Sequence, residues 1–247
     1  MKQIALKKLL VCLITILVFT NCNKQQLSAE TIVKNSIEKH GGAKAWSSLK
    51  RLSFDKKVTL FLKDGIIESS IKTHQEFTFY PNLKGKITWN VNDKKNSILY
   101  NNAAVLKFVN DSLITNPKDL QIATNSFNAA LYLISQPFNF LNENTILTFL
   151  GVVHLENRKV YGVKVTYSND TKEADKWFYY FDLKTFKMIA NKVILKDHTS
   201  LVENITFDTS TDFIFNQSRK SYRLNDTGDK TYLRATYFYD NFKTEHQ

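Results

Sequence analysis

Residues 120–142 carry no charged side chain, in a protein where 23% of residues are Asp, Glu, Lys or Arg. This stretch constrains the fold most, because it also reads as a helix. Asn116 suits the N-cap, and Pro117 suits the first turn, where its missing N–H would be orphaned anyway. Asp119 lies near the positive end of the helix dipole. Leu120, Ala123, Phe127, Ala130, Leu131, Ile134 and Phe138 recur at helical spacing and form one apolar face. Gln121, Asn125, Asn128, Tyr132 and Ser135 gather on the other side, polar but neutral. Pro137 ends the regular part by pushing its predecessor out of the α region. A solvated helix normally carries Lys and Glu. The pattern therefore predicts a helix in the mouth or interior of a β-structure, with a helix on one side of an ordinary core as the alternative.

The chain starts as an exported protein does. Lys2, Lys7 and Lys8 precede an apolar run over residues 9–19, which is too short to span a bilayer. Phe19-Thr20-Asn21-Cys22 then stands where a lipoprotein signal peptidase would cut. Phe19 and Asn21 depart from the usual Leu and small residue of that site. Cys12 lies inside the leader, so Cys22 is the only cysteine left after cleavage. A lone cysteine at a mature N-terminus points to lipidation, against a free thiol or an intermolecular disulfide. Several acyl chains at ~0.8 kcal/mol per buried CH₂ would anchor it permanently. The expected organisation is a leader over residues 1–21, a tether over 22–28 and one domain over 29–247.

Ser28 and Glu30 open a short helix that His40-Gly41-Gly42 closes, with Trp46 and Leu49 leading into the first strand. From Leu52 the period switches to two. Phe54, Val58, Leu60 and Leu62 alternate with mixed positions before the hairpin signal Asp64-Gly65. Further strands read over residues 67–80, 87–91, 98–100 and 105–109. After the helix they resume over 145–156, 160–167, 177–182, 188–195, 202–208, 213–224 and 232–242. With only seven Gly and three Pro no low-complexity linker is present, and a single domain follows. The fold class is mainly β (α+β): one open antiparallel half-barrel of about eleven strands around a central apolar helix, with an N-terminal helix. Trp177-Phe178-Tyr179-Tyr180-Phe181 points aromatics to both faces of its strand, so both faces need cover.

Chemistry is thinly written. His40, His74, His154, His198 and His246 have no metal-ligand spacing with one another or with Cys, so no metal is expected. No nucleophile elbow, phosphate loop or dinucleotide fingerprint is present, and no catalytic residue or cofactor is expected. The net charge of +11 is spread thinly. That argues against nucleic acid and for anionic membrane surfaces. An apolar interior remains, and large barrels are either plugged by a helix or hold a ligand. The candidate lining is Phe127, Leu131, Ile134 and Phe138, facing Trp89, Phe149, Trp177 and Tyr179.

With the N-terminal helix ending in His40-Gly41-Gly42, Trp46, Leu49, the run Val160-Tyr161-Gly162-Val163-Lys164-Val165 and the hairpin through Asp182-Leu183-Lys184-Thr185, the chain resembles the LolA/LolB-type lipoprotein carriers. It also resembles a group of Bacteroidetes-type lipoproteins of unknown function. The resemblance implies a half-barrel whose helices cover an apolar cavity, and lipidation at Cys22 is nearer to the anchored LolB member. The resemblance implies hydrophobic-ligand binding; the expectation is a monomeric outer membrane lipoprotein facing the periplasm, held through its N-terminal lipid, with a lipid or an acylated protein as partner. The rivals are an envelope interaction module without a small ligand, and an envelope hydrolase with dispersed carboxylates.

Overall fold

The computed structural model describes residues 27–247 apart from 102 and 172. Cys22, the leader and most of the tether lie outside the described residues. Ser28 accepts a hydrogen bond from the Thr31 N–H at 3.1 Å and so caps α1 (Ala29–Lys39). Ile32, Val33 and Ile37 form its buried side. Gly41, at φ +128°, turns the chain into α2 (Ala43–Ser48). A Cβ there would stand 2.6 Å from a Phe213 ring carbon and 2.7 Å from the Asp212 carbonyl oxygen. Space and backbone both demand glycine. His40 is buried and donates its Nδ1–H to the Ser36 carbonyl at 2.7 Å. Burial pushes it down to about 4 against the opposing pull of that carbonyl. The imidazole is therefore neutral, held by burial and by that hydrogen bond.

Among the described residues thirteen antiparallel strands form one sheet in the order β6-β5-β4-β3-β2-β1-β13-β12-β11-β10-β9-β8-β7. The first meander comprises β1 (Leu49–Phe61), β2 (Ile67–Thr78), β3 (Lys84–Val91), β4 (Lys94–Asn101), β5 (Ala104–Val109) and β6 (Ser112–Ile114). The second comprises β7 (Thr145–Leu155), β8 (Arg158–Tyr167), β9 (Lys176–Asp182), β10 (Met188–Ile194), β11 (Thr199–Asp208), β12 (Phe215–Leu224) and β13 (Lys230–His246). They join where β1 pairs with β13, from Leu49 opposite His246 to Leu60 opposite Ala235. The Asp64-Gly65 turn forms as expected, with Gly65 at φ +88° and Asp64 accepting from the Ile66 N–H. Strand β6 has three residues, too few for a period of two to register. Register shifts in the β1–β13, β11–β12 and β12–β13 ladders bend and twist the strands, curling the sheet into a trough.

This topology dictates where the neutral helix goes. Strands β6 and β7 lie at opposite edges, so the chain between them must cross the whole sheet. It does so as α3 (Pro117–Ile134), 18 residues long, followed by a 3-10 turn (Phe138–Leu141). At 1.5 Å per residue α3 spans about 27 Å. Asn116 caps it, accepting from the Lys118 and Asp119 N–H groups. Asp119 then pairs with Lys107 of β5 at 3.1 Å. Ala123, Phe127, Ala130 and Ile134 turn into the trough, while Gln121, Asn125 and Asn128 face out. The apolar helix thus lies across the concave face, as its composition predicts. Full burial of Phe127 alone contributes roughly 1.5–3 kcal/mol.

Candidate functional site

Cross-strand registers assign the concave face strand by strand. Phe54, Lys56, Val58 and Leu60 of β1 share it with Tyr239, Tyr237 and Ala235 of β13. Beyond them follow Arg219, Ser221 and Arg223 of β12, Asn204, Val202 and Ser200 of β11, then Asn191 and Val193 of β10. Trp177 and Tyr179 of β9 and Phe149 of β7 continue the same face, as does Trp89 of β3 on the other side. All four aromatic positions proposed to face the helix are therefore on the helix side of the sheet.

Packing fills part of the trough. Phe127 stacks on Tyr100 of β4 with centroids 4.4 Å apart and planes 3° from parallel. Phe138 stacks on Trp46 of α2 at 4.3 Å. Tyr179 sits against Phe140 at 4.4 Å. Its hydroxyl accepts from the Gln136 side chain at 2.9 Å and shares a 2.8 Å bond with Tyr132, which accepts from Tyr167. Burial pushes these three tyrosines well above their ordinary value, so all stay neutral. The network ties the C-terminal end of α3 to β8 and β9. Leu131, Trp89 and Phe149 are half-buried, with Phe149 beside Tyr161 at 6.3 Å.

The rest of the trough stays open. A cleft of about 330 Å³ lies between the end of α3 and strands β1 and β9 to β13. Leu133, Trp177, Val193, Val202, Leu60 and Ala235 supply its apolar wall. A second hollow of about 20 Å³ adjoins it through Leu133, Arg219 and Tyr239, and Ile134 lines it. That is room for one water. Larger hollows of 550, 560 and 600 Å³ are lined mainly by charged and polar side chains such as Arg51, Lys72 and Asp197, which suit solvent better than an apolar guest.

Of the residues singled out from the sequence, Trp177 and Ile134 border the cleft and the hollow beside it, and Trp89 borders the polar hollow of 560 Å³; Phe127, Phe138 and Tyr179 are packed into the core. Leu133, Arg219 and Arg223 were missed. Leu133 sits beside the recognised helix stripe, three residues after Ala130. Arg219, Ser221 and Arg223 repeat at the strand period after Phe215, which was the signal for two arginines on the inner face.

The concave floor is basic. Arg219 is 4% exposed, its Nε and Nη2 donating to Asn204 and Asn191 side-chain oxygens at 2.8 and 2.7 Å. Arg223 donates to the Ser200 hydroxyl. Lys56 stands 5.6 Å from the ring centres of both Tyr237 and Tyr239. Burial alone would raise the Tyr239 hydroxyl, yet Lys56 and Arg219 outweigh it and hold it below its ordinary value. On the convex face Asp55 meets His74 Nδ1 at 2.7 Å, but His74 Nε2 turns to Glu76 at 3.4 Å rather than to a hydroxyl. The aromatic strand β9 is covered on both sides. Its outward Tyr180 joins a small second cluster, and Lys192 lies 4.8 Å over the Phe178 ring. Among the described residues no group of His, Cys, Asp and Glu could hold a metal ion.

A curled antiparallel sheet with a helix across its concave face defines an open half-barrel of the LolA type. A LolA superfamily protein from Nitrosomonas europaea shares it at a TM-score of 0.56 and 8% identity, over 90% of this chain and 95% of that one. A domain from Vibrio parahaemolyticus described as an outer membrane lipoprotein-sorting protein gives 0.51 and 9% identity, over 88% and 92%. Identities this low carry the fold alone. The chain itself belongs to DUF6503, a family of unknown function whose model matches residues 7–243. No curated protein matches it.

Proposed function

We propose that this protein is an outer membrane lipoprotein, anchored through Cys22 and facing the periplasm, that holds a hydrophobic ligand between its concave sheet and α3. The observation that carries the reading is the apolar-walled cleft of about 330 Å³ beside Leu133 and Trp177. Concave, mostly apolar sites of ~300–1,000 Å³ are where small ligands bind. The half-barrel fold shared with LolA superfamily proteins supports an envelope role. No helix among the described residues is long and apolar enough to cross a membrane, so an acylated N-terminus would supply the anchor. We read the role as binding rather than catalysis: of the polar groups that line the cleft, His198 is paired outward with Asp197 at 2.8 Å and the Ser200 hydroxyl is taken up by Arg223, while the apolar wall dominates. Mass spectrometry of an organic extract of the purified protein tests this. A lipid present in stoichiometric amount, lost on delipidation and regained on re-exposure, is expected. A protein that takes up no lipid after delipidation refutes it.

A second reading, a docking module of the envelope, draws on β7 at the sheet edge. There Ile146 and Leu150 are 51% and 40% exposed beside unpaired backbone groups. Crosslinks from these positions to one envelope protein, kept after Leu133→Asp, would favour it.

A further inference from the structure

We propose that the cleft takes a single-chain amphiphile with an anionic head group, the head received by Arg219 and Arg223 and the chain by Leu133, Trp177 and Val193. This rests on the cleft being a ligand site, and adds the charge and the number of chains.

Charge comes first. Arg219 is almost fully buried; it donates to the neutral side chains of Asn204 and Asn191 and lies against the Tyr239 hydroxyl. A guanidinium has five N–H donors, so several remain to be used. Among the described residues the arginine salt bridges are those of Arg51, Arg158 and Arg234, so neither Arg219 nor Arg223 has a carboxylate partner. Among the described residues no Asp or Glu lines the cleft. Asp197 stands on the exposed rim, 2.8 Å from His198. A cation taken out of water needs an opposite charge to offset its desolvation; among the described residues Arg219 has no carboxylate at ion-pair distance, and Arg223 feels only Asp197 from the rim. The depressed Tyr239 hydroxyl reports the same positive field. Arg219 and Arg223 share one face of β12 about 13 Å apart along the strand. Side chains as long as theirs can converge on one carboxylate, phosphate or sulfate, which a guanidinium fork fits.

Volume limits the tail. At the ~30 Å³ that a water occupies in the liquid, 330 Å³ holds roughly eleven such groups. That is one medium chain, not the two or three chains of a lipoprotein anchor, unless α3 moves. The apolar residues Leu133, Trp177 and Val193 line the same space as both arginines, so head and chain can be bound together.

The test titrates delipidated protein with dodecanoate, dodecyl phosphate, dodecanol, dodecyltrimethylammonium and inorganic phosphate, by calorimetry and Trp fluorescence. Dodecanoate and dodecyl phosphate should bind about tenfold or more tighter than dodecanol, and the cationic amphiphile weakest. Arg223→Gln, which alters a half-exposed residue, should remove most of that difference and leave dodecanol binding unchanged. Arg219→Gln should do the same, with a denaturation curve to show that it folds. Equal binding of alcohol and acid, or an Arg223→Gln protein that still prefers the acid, overturns the anionic head group but leaves the hydrophobic site standing. Inorganic phosphate binding as tightly as dodecyl phosphate overturns the amphiphile in favour of a plain anion site. If no dodecyl compound binds, the ligand-site reading itself falls.

Discussion

Gly85 offers a direct test of how α3 is seated. It lies on the concave face of β3, between Phe77 of β2 and Tyr100 of β4, with the Phe127 ring above it. A Cβ at this position would stand 2.3 Å from Phe127 Cε2 and 2.8 Å from Cζ. Carbon atoms prefer ~3.5–4.0 Å, so the ring would have to move by more than ~1 Å. It has little room to do so, being fully buried and stacked on Tyr100, with Phe77 5.7 Å away. Gly85→Ala should therefore destabilise the fold by ~1–3 kcal/mol through overpacking. Phe127→Leu should cost less than the ~3–5 kcal/mol of a Phe→Ala change. Because the shorter side chain makes room for the methyl, the double variant should be more stable than the two costs added, with a coupling of ~0.5–3 kcal/mol. Urea unfolding followed by tryptophan fluorescence measures all four proteins. A Gly85→Ala protein as stable as the parent, or strictly additive costs, would refute the seating of α3 over β3.

Tyr179→Phe removes the hydroxyl that Gln136 and Tyr132 both use, leaving buried partners unpaired, and should cost ~1–3 kcal/mol in denaturant unfolding. A change below a few tenths would mean that the tyrosine network does not hold the end of α3. His40 predicts the pH dependence. Its folded value of about 4 lies below the ordinary 6.5, so between these values the unfolded chain binds the proton that the folded chain refuses. Stability should fall as pH drops from 6.5 towards 4, by up to about 3 kcal/mol, and level off below. His40→Gln should flatten that window; an unchanged slope would contradict a neutral buried imidazole. Asp55 and Asp182, both held at about 2 by hydrogen bonds that outweigh their burial, lose their contribution only below pH 4 and so do not confuse the reading.

Much of this architecture was legible because one missing property carries long-range information. A helix with no Lys or Glu between Leu120 and Asn142 fits badly on an outer surface, and the β6-to-β7 crossing explains why it lies in the trough. Turn chemistry at Asp64-Gly65 and the period of two placed most of the strands. Strand β6 escaped because three residues hold no period. The site was harder to read. Large apolar residues such as Phe127 and Phe138 look like ligand contacts in a sequence, yet side chains that fit each other well close the space between them. Open space is left where shapes do not match, beside Leu133, and no local pattern marks a mismatch. In the sequence Arg219 is one member of a thin spread of charge, since its burial follows from which face of β12 it occupies. Reading strand parity onward from Phe215 would have put Arg219 and Arg223 on the inner face.

A hydrophobic guest between α3 and the concave wall can be caught in place. A fatty acid bearing a photoreactive diazirine along its chain, bound to the delipidated protein and irradiated, reports this residue by residue through peptide mass spectrometry. The expected adducts fall on Leu133, Trp177 and Val193 and disappear when excess dodecanoate competes. Labelling confined to the outer face of β7 at Ile146 and Leu150, or scattered without competition, would contradict it.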